Sequence, residues 1–186
     1  MRIIGGKAKG TKLYTLEGNN TRPTLDRVRE ALFNIIQFEL QDSVFLDLFA
    51  GSGACGIEAV SRGAKKAILC DKEKQAIEII KKNIEKTHTQ ENTEIYQMAF
   101  DELLKTKIKE KLDIIFIDPP YDTNFAYQAV KILLESKYIH KNTIMIIETD
   151  QEKRIKKEIE NLEIEIVNDK KYGRAHLIFL RQKRKG

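Results

Sequence analysis

From residue 44 to residue 180 the chain repeats one rhythm, a short apolar run and then an amphipathic stretch, and this leaves few architectures open. The nearly all-apolar runs lie at 44–49, 67–70, 95–96, 114–117 and 144–147. Their length and their β-branched residues suit strands buried on both faces. The stretches around 54–62, 73–86, 101–109, 124–136 and 152–160 read as helices, with Ile77, Ile80 and Ile84 on one face. Strands alternating with helices predict an α/β domain whose mainly parallel sheet carries helices on both faces. The last two runs, 164–167 and 175–180, have no helix between them and are expected to pair antiparallel as a closing hairpin.

Upstream the pattern differs. Residues 1–16 break around Gly5-Gly6 and Gly10 and read as a β-hairpin ending near Asn19-Asn20, an appendage over 1–20 to a domain over 21–186. A first helix follows from Leu25 through Val28, Leu32, Ile35, Ile36 and Leu40, behind Pro23 and with Thr24 as its N-cap. With 186 residues, 41% hydrophobic, one ordinary domain is expected. The sequence has neither a membrane-length apolar run nor a signal-peptide pattern, so a cytoplasmic protein without a membrane partner is expected, working as a monomer. Cys55 and Cys70 form no CxxC pair, and His88, His140 and His176 share no metal-ligand spacing, so no metal is expected.

The net charge of +5 conceals an uneven distribution. Residues 1–30 hold seven basic and three acidic side chains, residues 170–186 seven basic and none acidic, and the centre is therefore net negative by six. Basic ends suit a polyanion, whereas an acidic centre suits a small cationic molecule.

In open α/β sheets ligands sit beyond the C-terminal ends of the strands, and three such ends stand out. The first strand runs through Asp47 and Phe49 into Gly51-Ser52-Gly53-Ala54-Cys55-Gly56, a GxGxxG turn that brings backbone close to a ligand at a helix N-terminus. Asp71, twenty residues beyond Gly51, closes the next run where an acid can accept both hydroxyls of a ribose. NAD and S-adenosylmethionine both carry that ribose. Asp47 favours the second, because a carboxylate ahead of the glycines suits the ammonium of a methionine moiety and repels a pyrophosphate. The plainer readings are a helix cap for Asp71 and a backbone-bonded acid for Asp47.

The third end is Asp118-Pro119-Pro120-Tyr121. Two prolines stiffen the backbone and remove two donors, leaving carbonyl oxygens and a carboxylate as acceptors beside an aromatic ring. Such acceptors suit an exocyclic amino group of a nucleobase, with Tyr121 stacking on a flipped-out or unpaired base. The plainer reading is a rigid strand exit.

These motifs together resemble the class I S-adenosylmethionine-dependent amino-methyltransferases. The segments Met1-Arg2-Ile3-Ile4-Gly5-Gly6, Thr21-Arg22-Pro23-Thr24, Asp26-Arg27-Val28-Arg29-Glu30 and Tyr172-Gly173 are similar to the RsmD-type bacterial 16S rRNA guanine-N2 methyltransferases. The resemblance implies a Rossmann-like, seven-stranded sheet, S-adenosylmethionine as cofactor, and a guanine of 16S rRNA as substrate, met within the 30S particle. It implies cofactor contacts at Asp47, Phe49, Gly51, Ser52, Gly53 and Asp71, and catalytic roles for Asp118, Pro119, Pro120 and Tyr121. Where relatives carry an Asp-Ala pair on adenine, this chain has Met98-Ala99 followed by Asp101, so either the backbone of Met98-Ala99 or Asp101 is left to make that contact.

Lys7, Lys9, Lys12, Arg22, Arg27, Arg29, Lys183, Arg184 and Lys185 are candidates for RNA phosphates, Arg22 equally for bracing the cleft. Glu148 is read as ordering the substrate end of the cleft or as a helix cap. Asn34 is a polar candidate for facing the cleft, and the charges over 152–158 read as a solvated face. The competing functions are methylation of adenine N6 in DNA, cysteine-dependent methylation of a pyrimidine carbon, an NAD-dependent oxidoreductase, and a noncatalytic ribosome-assembly factor.

Overall fold

In a computed structural model, which describes residues 1–16 and 23–183, the apolar runs form β1 (Val44–Asp47), β2 (Lys66–Asp71), β3 (Thr93–Gln97), β4 (Ile114–Ile117) and β5 (Ile144–Thr149). The closing hairpin is β6 (Ile164–Tyr172) with β7 (Ala175–Gln182). The helices are α1 (Pro23–Ile35), α2 (Ala54–Ser61), α3 (Lys74–Thr87), α4 (Phe100–Thr106), α5 (Phe125–Glu135) and α6 (Glu152–Ile159). The strands make one seven-stranded sheet in the order β3-β2-β1-β4-β5-β7-β6. β1 to β5 are parallel and β6 and β7 pair antiparallel, as the pattern predicts, and β7 also joins the sheet antiparallel to β5. Strand order reverses between β1 and β4, where an open parallel sheet leaves its ligand crevice. Among the described residues no helix is long and apolar enough to cross a membrane.

Strand alternation sends successive side chains to opposite faces. Leu46, Ile115, Ile117 and Ile147 pack with Leu103, Ala129 and Val130 of α4 and α5 and with Ile155 and Ile159 of α6. Phe45, Phe116 and Ile146 face the other way, against Val28, Leu32 and Phe33 of α1. Asp47 and Glu148 share parity with Phe45 and Ile146, so both acids lie on the α1 face at the strands' C-terminal ends. α1 is described from Pro23, so Thr24, expected as its N-cap, lies within the helix. It ends at Ile35, and Ile36 and Leu40 are buried in the turn beyond.

The expected N-terminal hairpin is reduced to one antiparallel bridge, Arg2 with Lys12, and it is joined to the domain rather than appended to it. Ile3 and Leu13 are buried with Ile57 of α2 and Ile80 of α3. The fully buried carboxylate of Glu58 accepts the N–H groups of Ile4 at 2.8 Å and Gly5 at 2.7 Å and receives Arg62 Nε at 2.7 Å. Ser61 takes the Ala8 N–H at 2.9 Å and donates to the Gly5 carbonyl at 2.6 Å. Gly6, at φ 75°, approaches α2 so closely that a Cβ would stand 1.7 Å from the Ser61 carbonyl oxygen. These partners are more than fifty residues apart in the chain, which hides the docking from any local pattern.

Candidate active site

β1 leads into the glycine turn, where Gly53 holds φ 79° ahead of α2 and a Cβ would stand 3.2 to 3.4 Å from the side chains of Ile80, Ile57 and Leu69. β2 is tied to that turn from its end. Asp71 accepts the Gly51 N–H through Oδ2 and the Glu73 N–H through Oδ1, each at 2.9 Å. Asp71 is not the N-cap of α3, which is Glu73, and its carboxylate, with four lone-pair positions, keeps acceptor capacity toward the cleft it lines.

That cleft encloses about 830 Å³ outside the ends of β1, β2, β3 and β4. Phe49, Asp71, Met98 and Ala99, expected to hold a cofactor, line it together with the 118–121 motif. Asp47, Gly51, Ser52 and Gly53 stand outside the lining. Ser52 is taken up in packing, its hydroxyl toward Met1 Sδ at 3.6 Å and its carbonyl accepting from Asn83 Nδ2 at 2.8 Å. The Met98 backbone is bonded into β2: its N–H donates to the Asp71 carbonyl at 3.2 Å and its carbonyl accepts the Cys70 thiol at 3.4 Å. Asp101 lines the cleft beside Ala99, its Oδ2 also taking Lys105 Nζ at 3.4 Å, so both candidates for the adenine contact border the cleft. Phe100 and Phe125 were not singled out by sequence; with Phe49 they form an aromatic wall, centroids 5.2 to 6.2 Å apart.

Asp47 is 1% exposed, and its Oδ1 has no hydrogen-bond partner among the described residues. Burial first, then the charges of Asp118 and Asp71, push its carboxyl up to about 8, against backbone N–H groups of Phe49 and Gly56 that lower it. A buried acid with an orphaned oxygen is costly unless a cation or donor meets it.

A second cavity of about 330 Å³ lies on the other side of the motif. It shares Asp118, Pro119, Pro120 and Tyr121 with the cleft and adds Glu148, Arg154, Gly173 and Arg174 among others. Asp118 is exposed at the wall of both cavities, and desolvation by the surrounding groups raises its carboxyl. Glu148 is raised by burial and then by the charges of Asp118 and Asp47, with buried Arg29 opposing. Tyr121 is 77% exposed, its ring free to meet a partner.

The motif's exit is braced by a residue that the charge pattern assigns to a solvated face. Arg154 of α6 donates from Nη2 to the Thr123 carbonyl at 2.9 Å and from Nη1 to Gln151 Oε1 at 2.9 Å, while Nε pairs with Glu158 at 2.8 Å. Gln151 Nε2 holds Asp122 Oδ1 at 2.8 Å, and Thr123 Oγ1 donates to the Pro120 carbonyl at 2.8 Å. No periodicity distinguishes Arg154 from its charged neighbours.

Among the phosphate candidates, Lys7, Lys9, Lys12, Arg27 and Lys183 are exposed. Arg29 is not: it is 5% exposed, bonded to the Arg2 carbonyl and to Asp26 at 3.1 Å, and 3.8 Å from Glu58, so it belongs to the N-terminal docking. Arg22, Arg184 and Lys185 lie outside the described residues. Asn34 is exposed and borders neither cavity. Cys55 and Cys70 also border neither, and burial raises both thiols, Cys70 to about 12, which removes them as nucleophiles. His88 caps α3 in a left-handed conformation, His140 bonds Asp113 at 3.0 Å and His176 lies 3.5 Å from Asp169, all local roles.

A protein-family model described as "Conserved hypothetical protein 95" matches residues 1–181. A relative from Haemophilus influenzae named ribosomal RNA small subunit methyltransferase D is 37% identical over 82% of this chain and 80% of its own. One of the same name from Escherichia coli is 32% identical over 82% of this chain and 76% of its own. The solved structure of yhhF from Escherichia coli superposes with a TM-score of 0.81 at 25% identity, covering 100% of this chain and 99% of that one. The sheet order, the closing hairpin and these matches identify a class I methyltransferase fold. The chain belongs to the Conserved hypothetical protein 95 family, alongside the relatives named ribosomal RNA small subunit methyltransferase D.

Proposed function

We propose that this protein transfers a methyl group from S-adenosylmethionine to the exocyclic N2 amine of a guanine in 16S rRNA, acting as a cytoplasmic monomer on the 30S particle. The observation that carries the reading is the 118–121 motif as the common wall of two cavities, one of about 830 Å³ and one of about 330 Å³. Two reactants entering from opposite sides meet at Asp118. The names of the relatives supply the substrate class, ribosomal RNA of the small subunit.

The residues fit the cofactor. The larger cleft has the volume of a nucleoside-sized site. Asp71 and Asp101 supply acceptors for ribose and adenine edges and Phe49, Phe100 and Phe125 an apolar wall, while Asp47, outside the lining, adds a buried negative charge in need of a cation. S-adenosylmethionine, when bound, supplies an electrophilic methyl carried on a sulfonium.

The chain's own part is positioning and charge. An aromatic amine is a poor nucleophile because its lone pair is conjugated into the ring. Asp118 and the carbonyl of Pro119 are acceptors for its two hydrogens, and gripping them draws the nitrogen toward tetrahedral geometry. As positive charge develops on that nitrogen, Asp118 stabilises it and is the acceptor for the proton the amine loses, and Glu148 stands in the same cavity to share the load. Tyr121 offers an exposed ring for the base to stack on. Lys7, Lys9, Lys12, Arg27 and Lys183, exposed at the basic ends, are the candidates for RNA phosphates.

Labelled methyl transfer tests the reading. With 30S particles, naked 16S rRNA and DNA offered separately, label is expected in the small-subunit RNA. Label in DNA adenine instead would replace this function with the alternative one.

A further inference from the structure

Glu148 is a half-buried carboxylate at a cavity wall with no side-chain partner among the described residues, and a share in stabilising charge does not say what its oxygens bond. We propose that Glu148 is a specificity-determining residue, accepting the ring N1–H of the guanine whose N2 amine is held at Asp118, and thereby selecting guanine over adenine and cytosine. This rests on the guanine-N2 reading above and names the group that enforces it.

The placement follows from strand register. Ile117 of β4 lies opposite Ile147 of β5, so the next residues, Asp118 and Glu148, leave neighbouring parallel strands side by side. Neighbouring strands run about 4.8 Å apart, a spacing that sets two carboxylates against adjacent donors on one heterocycle edge. Both residues border the second cavity. Among the described residues no side-chain hydrogen bond or ion pair engages either one. The fixed cation opposing Glu148 is Arg29, itself committed to the Arg2 carbonyl and Asp26.

The chemistry then discriminates. An ionised carboxylate only accepts hydrogen bonds. Guanine presents donors at N1 and N2 in sequence, so two adjacent carboxylates meet donors throughout. Adenine and cytosine each set a ring lone pair beside the amine, which would face Glu148 with acceptor against acceptor. A site built to bond a substrate N–H rejects the analogue lacking it far more strongly than a shape-matched apolar pocket does. Burial and the charges of Asp118 and Asp47 push the Glu148 carboxyl up to about 8, so the discrimination belongs to its ionised form, which a donor at N1 favours and which grows as pH rises.

The test uses the full chain and 30S particles reconstituted with 16S rRNA bearing either guanosine or 2-aminopurine ribonucleoside at the methylated position, located beforehand by mass mapping. 2-Aminopurine keeps the same amine but has a lone pair at N1. The expected result is that wild type prefers guanosine in kcat/KM by about 100-fold or more, and that Glu148→Gln, whose amide also donates, narrows this to about threefold. Glu148→Asp, keeping the charge, is expected to retain the preference at a lower rate. Cofactor affinity by calorimetry is expected to be unchanged in both, and a merely structural role would slow both bases equally. An unchanged base preference in Glu148→Gln, with N2-methylguanosine still formed, would overturn this assignment alone. Failure of wild type to form N2-methylguanosine in any 16S rRNA would overturn the guanine reading and this inference with it.

Discussion

Arg154 Nη2 donates to the carbonyl oxygen of Thr123 at 2.9 Å, and through that bond α6 holds the loop leaving the 118–121 motif. The same guanidinium reaches Gln151, which in turn holds Asp122 in a left-handed backbone conformation at φ 58°. Arg154→Ala is expected to lower kcat for methyl transfer by roughly ten- to a hundredfold, since small misplacements of a positioning group cost that much. Cofactor affinity should stay within about threefold, because Arg154 lines only the second cavity. Arg154→Lys should not restore the rate: an ammonium cannot reproduce the planar fork. Single-turnover kinetics beside calorimetry reads both quantities.

Asp118 is the acceptor on which the transfer depends. Asp118→Ala is expected to abolish methyl transfer to below about a thousandth of wild type while cofactor binding persists, as an equilibrium titration would show. Near-normal turnover would remove Asp118 from the mechanism.

Asp47 gives the protein a specific pH signature. Its carboxyl ionises at about 8 in the folded chain against an ordinary 3.8, so the folded state binds the proton more tightly than the unfolded state does. Stability from this group is therefore lost as pH rises from about 4 to about 8. Asp47→Asn is expected to melt progressively higher than wild type across that window, with little difference at its acid end. Affinity for a cationic cofactor should rise toward pH 8 by up to about tenfold per pH unit in wild type, with proton release, and lose that dependence in Asp47→Asn. Melting curves and calorimetry in buffers of different ionisation enthalpy measure these effects.

Glu58 anchors the N-terminal segment. Glu58→Ala leaves the N–H groups of Ile4 and Gly5 unpaired and strips Arg29 and Arg62 of their shared carboxylate. Breaking a buried charge network of this kind costs about 3–5 kcal/mol. The expected readout is a lowered unfolding midpoint in denaturant together with faster proteolysis within residues 1–16.

The exposed and buried basic residues should separate in RNA binding. Neutralising Lys7, Lys9 and Lys12 together is expected to weaken RNA affinity and reduce the salt slope by about one for each phosphate that is no longer neutralised. Neutralising Lys183, Arg184 and Lys185 tests the tail in the same way. An unchanged slope in either set would reduce that cluster to solvated charge.

How far the sequence carries these conclusions differs by scale. The sheet is legible because wholly apolar runs such as 114–117 fit only strands covered on both faces, and the glycine turn and the 118–121 motif announce themselves by composition. What stays hidden depends on partners distant in the chain. Arg29 shares its charge and neighbourhood with exposed Arg27, and only the docking of residues 1–13 onto Glu58 separates them. Arg154 sits in a helix of like residues and is singled out by a carbonyl thirty-one positions away. Glu148 is legible at its strand end as a cleft acid or a cap, and register adds what the sequence does not show, that Asp118 is its neighbour.

The most direct measurement is mass mapping of modified nucleosides in 16S rRNA from cells lacking this protein, before and after incubation of their 30S particles with the purified chain and S-adenosylmethionine. The account predicts one guanosine that is unmodified beforehand and carries a single N2-methyl afterwards, and none with Asp118→Ala. Methylation at another atom, or an identical modification map in the presence and absence of the protein, would contradict it.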